Sequence, residues 1–207
     1  MAHLGLSGGG LSAQAPAGNG GLLGLHCRQH EITPIIAKTG EWNECADGAF
    51  IRSAKLSDAQ VVRAVVEGRF LSMRARAGAI GLDVGKSRAP RGLAAPRVLA
   101  TGGGTQSVAM LQIAADIFNS DILRADQPDA AAVGAARRAA HALALSKNHG
   151  GDPTKLPYAE FLREAGAGAG MGLTVVARPR PKATAVYDDA LVRRWKHLED
   201  RVAAGDV

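Results

Sequence analysis

An α/β fold is what the sequence predicts, and three stretches predict it. In "RVLATGGGTQSVAML", residues 97–111, a short aliphatic run ends in three consecutive glycines and a helical pattern begins at once. "SDILRAD" is a second strand-like run, followed from Pro128 and Asp129 by the Ala-rich helical pattern "DAAAVGAARRAAHALAL". The third is a long amphipathic stretch that opens at Ser57. Short aliphatic runs alternating with helical patterns argue for a sheet with parallel pairing and helices packed on it.

The elements follow in order. "LLGLHC", Leu22 to Cys27, reads as a strand leading into a turn at "EITPII", and residues 37–54 hold no period beyond a short edge strand. Ser57 is an expected N-cap. After it Val62, Val66, Phe70, Met73 and Ala77 recur at helical spacing, up to a stop at Gly78 or Gly81. "GKS" at Gly85 resembles the end of a phosphate-binding P-loop, but that motif needs a glycine at position 80, which is Ile80.

The helix from Thr105, "TQSVAMLQIAADIF", is apolar nearly all round and is expected to be buried on more than one side. In the Ala-rich helix Val133, Ala136, Ala140 and Leu143 are expected inward, with Arg137, Arg138 and His141 outward. Gly134 costs about 1 kcal/mol against Ala in a helix interior, so it marks a close approach of backbone or ligand. Residues 148–182 read as loop with one short helical piece, "YAEFLREAG". The last helix carries Tyr187, Leu191, Leu198 and Val202 in one stripe, with Trp195 beside it, and there are no internal repeats.

Composition bounds the function. The 207 residues suffice for one sizeable core, and 46% hydrophobic with 21% charged residues is ordinary for a soluble globular protein. No apolar run approaches the ~20 residues of a membrane span, so no membrane partner is expected. The opening "MAHLGLSGGGLSAQAPAGNGG" lacks the basic flank and apolar run of a secretory signal, and it contains no Arg. Residues 1–17 are therefore expected to be a flexible Gly/Ala-rich leader and residues 18–207 the folded domain.

Two cysteines, Cys27 and Cys45, are too few for a disulfide framework, and a reducing compartment, the cytosol, is expected. "HCRQH" brings His26, Cys27 and His30 together, but a zinc site needs a second tightly spaced pair, which Cys45 does not provide. No metal site is expected. The net charge of +6 comes with only 4% aromatics, and the arginines fall on solvent faces of the predicted helices, so nucleic acid is not an expected partner. A basic surface does suit a polyphosphate ligand.

Gly102, Gly103 and Gly104 stand at the carboxyl end of a strand and before a helix. Glycines there let a flat or anionic group come against bare backbone, and the free N–H groups of the following helix suit phosphate. A nucleotide is the expected ligand. A dinucleotide is one alternative: Gly102 and Gly104 fit G-x-G-x-x-G and Asp126 could hold a ribose, but the last position is Ser107.

The stretch from "RVLATGGG" to "AARRAAHAL" closely resembles the FGGY carbohydrate kinases. "GNGGLLGL", "EITP", "VVRAVVEGRFLSMRARA" and "VYDDALVRRWKHLEDRV" fall in that family's order, and the similarity runs from Gly18 to Ala203. The resemblance implies an actin-like ATPase fold of RNase-H-like domains, with a mixed sheet flanked by helices, of which this chain matches only the C-terminal half. It implies an adenine-nucleotide site in which Gly102, Gly103 and Gly104 back base and ribose, Ser107 contacts the adenine, and the helix around Gly134 packs beneath the loop. The activity implied is transfer of the γ-phosphate of ATP, bound with Mg²⁺, to the 5-hydroxyl of D-xylulose. In the family the sugar contacts and the Asp general base come mainly from the N-terminal half. No catalytic residue is therefore expected here; ATP and ADP are the expected partners, and the pentulose binds only with that other half. The rivals are a dinucleotide-binding oxidoreductase and a non-catalytic protein that keeps the fold to bind nucleotide.

Overall fold

The computed structural model describes residues 15–82, 84, 85, 97–125, 129–166 and 172–207. Lys86 and Ser87 of the "GKS" stretch, Asp126, and residues 1–14 of the expected leader lie outside them. The first sheet is antiparallel in the order β1 (Leu23–Cys27), β4 (Gly40–Glu44) and β5 (Phe50–Ile51). Between its first two strands the "EITPII" segment is a hairpin of β2 (Glu31–Ile32) and β3 (Ile35–Ile36) rather than a bare turn.

Instead of loop with a short edge, β4 pairs along all of β1, from Leu23 opposite Glu44 to Cys27 opposite Gly40. "GEWNE" hides this because its buried side chains are polar. Asn43 accepts from His26 Nε2 at 2.8 Å and donates to Ser53 Oγ at 2.9 Å, while Glu44 accepts from Arg194 Nε at 2.8 Å. Burial of polar groups is tolerated where each finds a partner, and no apolar alternation records it.

Helix α1 (Asp58–Ala79) begins as expected at Ser57, which shares a reciprocal capping box with Gln60. It runs through Gly78, with Ile80 as C-cap and Gly81 following at φ +79°. Its inward face differs from the expected stripe. Arg63, Ala64, Glu67, Gly68, Leu71 and Arg74 are buried, whereas Met73 is 56% exposed. Val66 and Phe70 only flank the core. Close approach selects this face. A Cβ at Gly68 would stand 2.3 Å from Gly24 O and 2.8 Å from the Trp195 ring.

The second sheet is mixed. β6 (Arg97–Ala100) runs parallel to β7 (Asp121–Ala125), with Leu99 opposite Leu123, and β8 (Leu173–Ala177) adds antiparallel to β7. The parallel pair is the one expected; β8 lies within residues read as loop. Between β6 and β7 helix α2 (Val108–Phe118) buries Leu111, Ile113, Ala114, Ala115, Ile117 and Phe118, as its apolar composition predicts. Phe118 meets Phe70 of α1 edge-on at 5.7 Å.

Helix α3 (Ala130–His149) packs with α4 (Tyr158–Glu164); Arg138 is exposed as expected, but the inward face differs from the one expected. His141 and Leu145 are buried, while Ala136, Ala140 and Leu143 are exposed. The His141 ring lies 5.2 and 5.3 Å from the rings of Tyr158 and Phe161, and its Nε2 donates to Leu156 O at 2.7 Å. The guanidinium of Arg138 lies 4.4 Å over Tyr158. A histidine with both a ring contact and a hydrogen bond is at ease inside, which its polarity alone does not suggest.

After the short α5 (Pro181–Thr184), helix α6 (Asp189–Ala204) is capped by Asp188, whose side chain accepts from Leu191 N. Trp195, Leu198 and Val202 are buried, so Trp195 lies in the stripe rather than beside it. α6 closes the core against α1 and β1.

Candidate functional site

The carboxyl end of β6 enters a turn that only glycine suits. Gly102 has φ 83° and ψ −178°, a combination closed to residues with a Cβ. Its carbonyl accepts from Thr105 N at 3.1 Å and from Thr105 Oγ1 at 2.8 Å. Gly103–Gln106 form one 3-10 turn, and Ser107 is extended. Ser107 Oγ accepts from Met110 N at 3.3 Å, which makes it the N-cap of α2. The helix thus starts at Val108 rather than at Thr105, because the turn consumes the residues between.

The three glycines are exposed, and a Cβ added to any of them would meet nothing within 4 Å. Packing therefore does not demand Gly103 or Gly104. Their bare backbone faces open space, bordered by the first turn of α2, whose leading N–H groups have no intrahelical partner and carry the positive end of the helix dipole. Such a surface can receive a flat ring against the glycines and an anionic group at the helix start.

Gly134 likewise has open space where a Cβ would be. Among the described residues no backbone presses on it.

Two acidic groups near this region can be placed. Asp116 is wholly buried and accepts from Arg180 Nη2 at 2.6 Å, Arg180 Nε at 3.1 Å, Arg180 N at 2.8 Å and Gln112 Nε2 at 3.1 Å. A carboxylate so engaged is a structural anchor between α2 and the segment before α5. Asp129 takes a left-handed conformation at the head of α3 and makes no side-chain cap.

The "HCRQH" residues go separate ways. His26 donates to Asn43, Cys27 is buried in β1 with its thiol pushed up by burial, and His30 is exposed. Among the described residues no three His, Cys, Asp or Glu side chains gather where they could hold a metal ion.

The strongly perturbed groups lie elsewhere, under the turn Ala17–Gly21. Arg63 Nε donates to Glu67 Oε1 at 2.5 Å, Tyr187 OH donates to the same oxygen at 2.6 Å, and Gly18 N donates to it at 3.0 Å. Arg63 also donates to Tyr187 OH at 2.9 Å and to Ala15 O at 3.3 Å. Burial pushes the Glu67 carboxyl up, with these donors acting against it, and burial beside Glu67 pushes the Tyr187 hydroxyl up as well. The linear pattern does not name this network. Its one signal was the Arg63–Glu67 pair at i, i+4, which on most helices is a solvated surface pair.

A glycine turn between a parallel strand and a buried helix, on a mixed sheet flanked by helices, is an α/β arrangement that agrees with the fold the resemblance implies. The sequence model of the C-terminal domain of the FGGY family of carbohydrate kinases matches residues 29–143, and the chain belongs to that family. It is 34% identical over 185 residues to the xylulose kinase of Rattus norvegicus, an alignment covering 89% of this chain and 30% of that protein. To xylulose kinase 2 of Arabidopsis thaliana it is 30% identical over 137 residues, covering 62% of this chain and 23% of that one. The chain thus spans about a third or less of the relatives it matches.

Among solved structures, ligand-bound xylulose kinase from Lactobacillus acidophilus superposes with a TM-score of 0.58 at 22% identity, covering 92% of this chain and 33% of that one. Xylulose kinase from Rhodospirillum rubrum gives 0.53 at 24% identity, over 93% and 33% of the two chains. At that identity the likeness speaks for the fold.

Proposed function

We propose that the chain is the ATP-binding half of a xylulose kinase, in which Gly102, Gly103 and Gly104 form the wall against the nucleotide. The observation that carries this reading is the turn itself: one glycine is required by its backbone angles, and the two after it by no contact among the described residues. Bare backbone that packing does not demand suits a ligand lying against it. The complete enzyme moves the γ-phosphate of ATP, carried in with Mg²⁺, to the 5-hydroxyl of D-xylulose in the cytosol. No helix among the described residues is long and apolar enough to cross a membrane.

On this reading the chain alone does not phosphorylate the sugar. Transfer needs the hydroxyl, a general base and the γ-phosphate held in one closed cleft. Asp116, the buried acid nearest the glycine loop in sequence, is bound up with Arg180 and cannot serve as base.

The test is ADP binding by calorimetry, with Gly103→Val as the informative variant. A Cβ at this position meets nothing within 4 Å, so the variant should fold, and its side chain occupies the face proposed for the nucleotide. Binding abolished in a variant of unchanged melting temperature supports the site; unchanged affinity excludes it. ADP release that rises with D-xylulose at ordinary kinase rates, roughly 1–100 per second, would show that a complete active site lies within the chain.

A further inference from the structure

We propose that a cavity where α1, α6 and the β2–β3 hairpin meet binds one water molecule, held between the indole of Trp195 and the carboxylate of Glu199. Its wall includes Gly24, Glu31, Pro34, Gly68, Trp195 and Glu199. Trp195 and Glu199 are each 1% exposed and stand four residues apart on α6, so they share one face of that helix. Each carries a buried polar atom with no hydrogen-bond partner among the described residues, Nε1 of Trp195 and Oε2 of Glu199, so the two do not bond to each other. The other carboxylate oxygen is committed. Glu199 Oε1 accepts from Ser72 Oγ and from Arg76 Nη2, both at 3.1 Å. The ammonium of Lys196 stands 3.8 Å from Oε2, beyond hydrogen-bond distance. Two further polar side chains on the wall are engaged, His26 with Asn43 and Glu31 with Arg69.

An indole N–H only donates, and a carboxylate oxygen only accepts. One ligand that satisfies both must accept on one side and donate on the other. Water does so, and ordered water is the usual partner of buried polar groups that the protein leaves unpaired. A simple cation would suit the carboxylate but would meet the positive edge of the indole. An anion would accept from the indole but face the charge of Glu199. Size agrees with the chemistry. The cavity offers about 20 Å³, against the roughly 10–15 Å³ that one water needs. The water accepts from Trp195 Nε1 and donates to Glu199 Oε2, a polar link at the junction of α6, α1 and the hairpin.

The experiment reads the indole N–H of the full chain by NMR, in NOE and ROE spectra that detect transfer from water. The chain has two tryptophans, so Trp42→Phe leaves Trp195 as the single indole signal. Should that variant not fold, the wild-type signal is assigned through Gly68, which lies against the Trp195 ring. A held water gives Trp195 cross-peaks at the water frequency of opposite sign in the two spectra, unchanged when sodium chloride is replaced by ammonium chloride. Absence of a cross-peak overturns the site. Cross-peaks of the same sign in both spectra mean proton exchange with bulk solvent and overturn it as well. A Trp195 signal that shifts with ammonium alone places a cation beside Glu199 and overturns the assignment to water.

Discussion

Glu67 and Arg63, each 2% exposed, form an ion pair whose charges are balanced only by each other and by the donors around them. Removing one partner leaves the other charge buried and unpaired, which costs about 3–5 kcal/mol. Glu67→Leu should lower the free energy of unfolding by that amount in denaturant titration, although it puts an apolar group in an otherwise buried place. A loss under 1 kcal/mol would show that Arg63 finds another partner. The pair also sets a pH dependence. Burial raises the Glu67 carboxyl above its ordinary value of 4.5, so the folded protein keeps that proton after the unfolded chain has lost it. The stabilisation is complete below the unfolded value and is lost as pH rises through the folded one. Measured against Glu67→Gln, which does not titrate there, the wild type should lose relative stability on going from pH 4 to 7.

Two glycines govern how elements meet, for different reasons. Gly68 lets α1 approach β1 and α6, and a methyl there would stand 2.3 Å from a backbone oxygen that cannot yield without moving the strand. Gly102 instead sets the direction of the chain as it leaves β6. Gly68→Ala and Gly102→Ala should each destabilise by about 1–3 kcal/mol, the first by overpacking and the second by backbone strain, whereas Gly103→Ala should fall within about 0.5 kcal/mol of wild type. Thermal unfolding of the three variants separates the cases; equal losses at Gly102 and Gly103 would contradict the turn described. The contrast also shows what was legible at this scale. The strand–glycine–helix unit could be read because an aliphatic run, three glycines and an apolar helix are each local signals. β4 and β8 could not, since β4 buries Asn43 and Glu44 through partners 17 and 150 residues away, and β8 has its outward residues Leu173 and Val175 exposed.

For the molecule as a whole, apolar surface is left open. Ile32 and Ile35 at the β2–β3 hairpin are 86% and 79% exposed, and Leu99, Leu173 and Val175 share one face of the second sheet. Contiguous exposed apolar surface drives association. The isolated chain should bind a hydrophobic dye and sediment with a weight that grows with concentration; a monomer at every concentration, without dye binding, would contradict this. The sequence by itself determined the α/β class, the family resemblance, the Ser57 cap, the parallel β6–β7 pair and the place of the glycine turn. Apart from the resemblance, which rests on the order of several stretches, these depend on signals carried within a few neighbouring residues. Only the tertiary structure decided which face of α1 turns inward, that His141 is buried, and that the Ser107 hydroxyl is occupied by the cap of α2. Each depends on a partner the linear pattern does not name: Gly24 and Trp195 pressing on Gly68, Leu156 and two aromatic rings around His141, and a helix that starts at Val108 instead of Thr105. Polarity tells where a side chain would be at ease in water, and only the assembled neighbours tell where it finds hydrogen bonds enough to leave it.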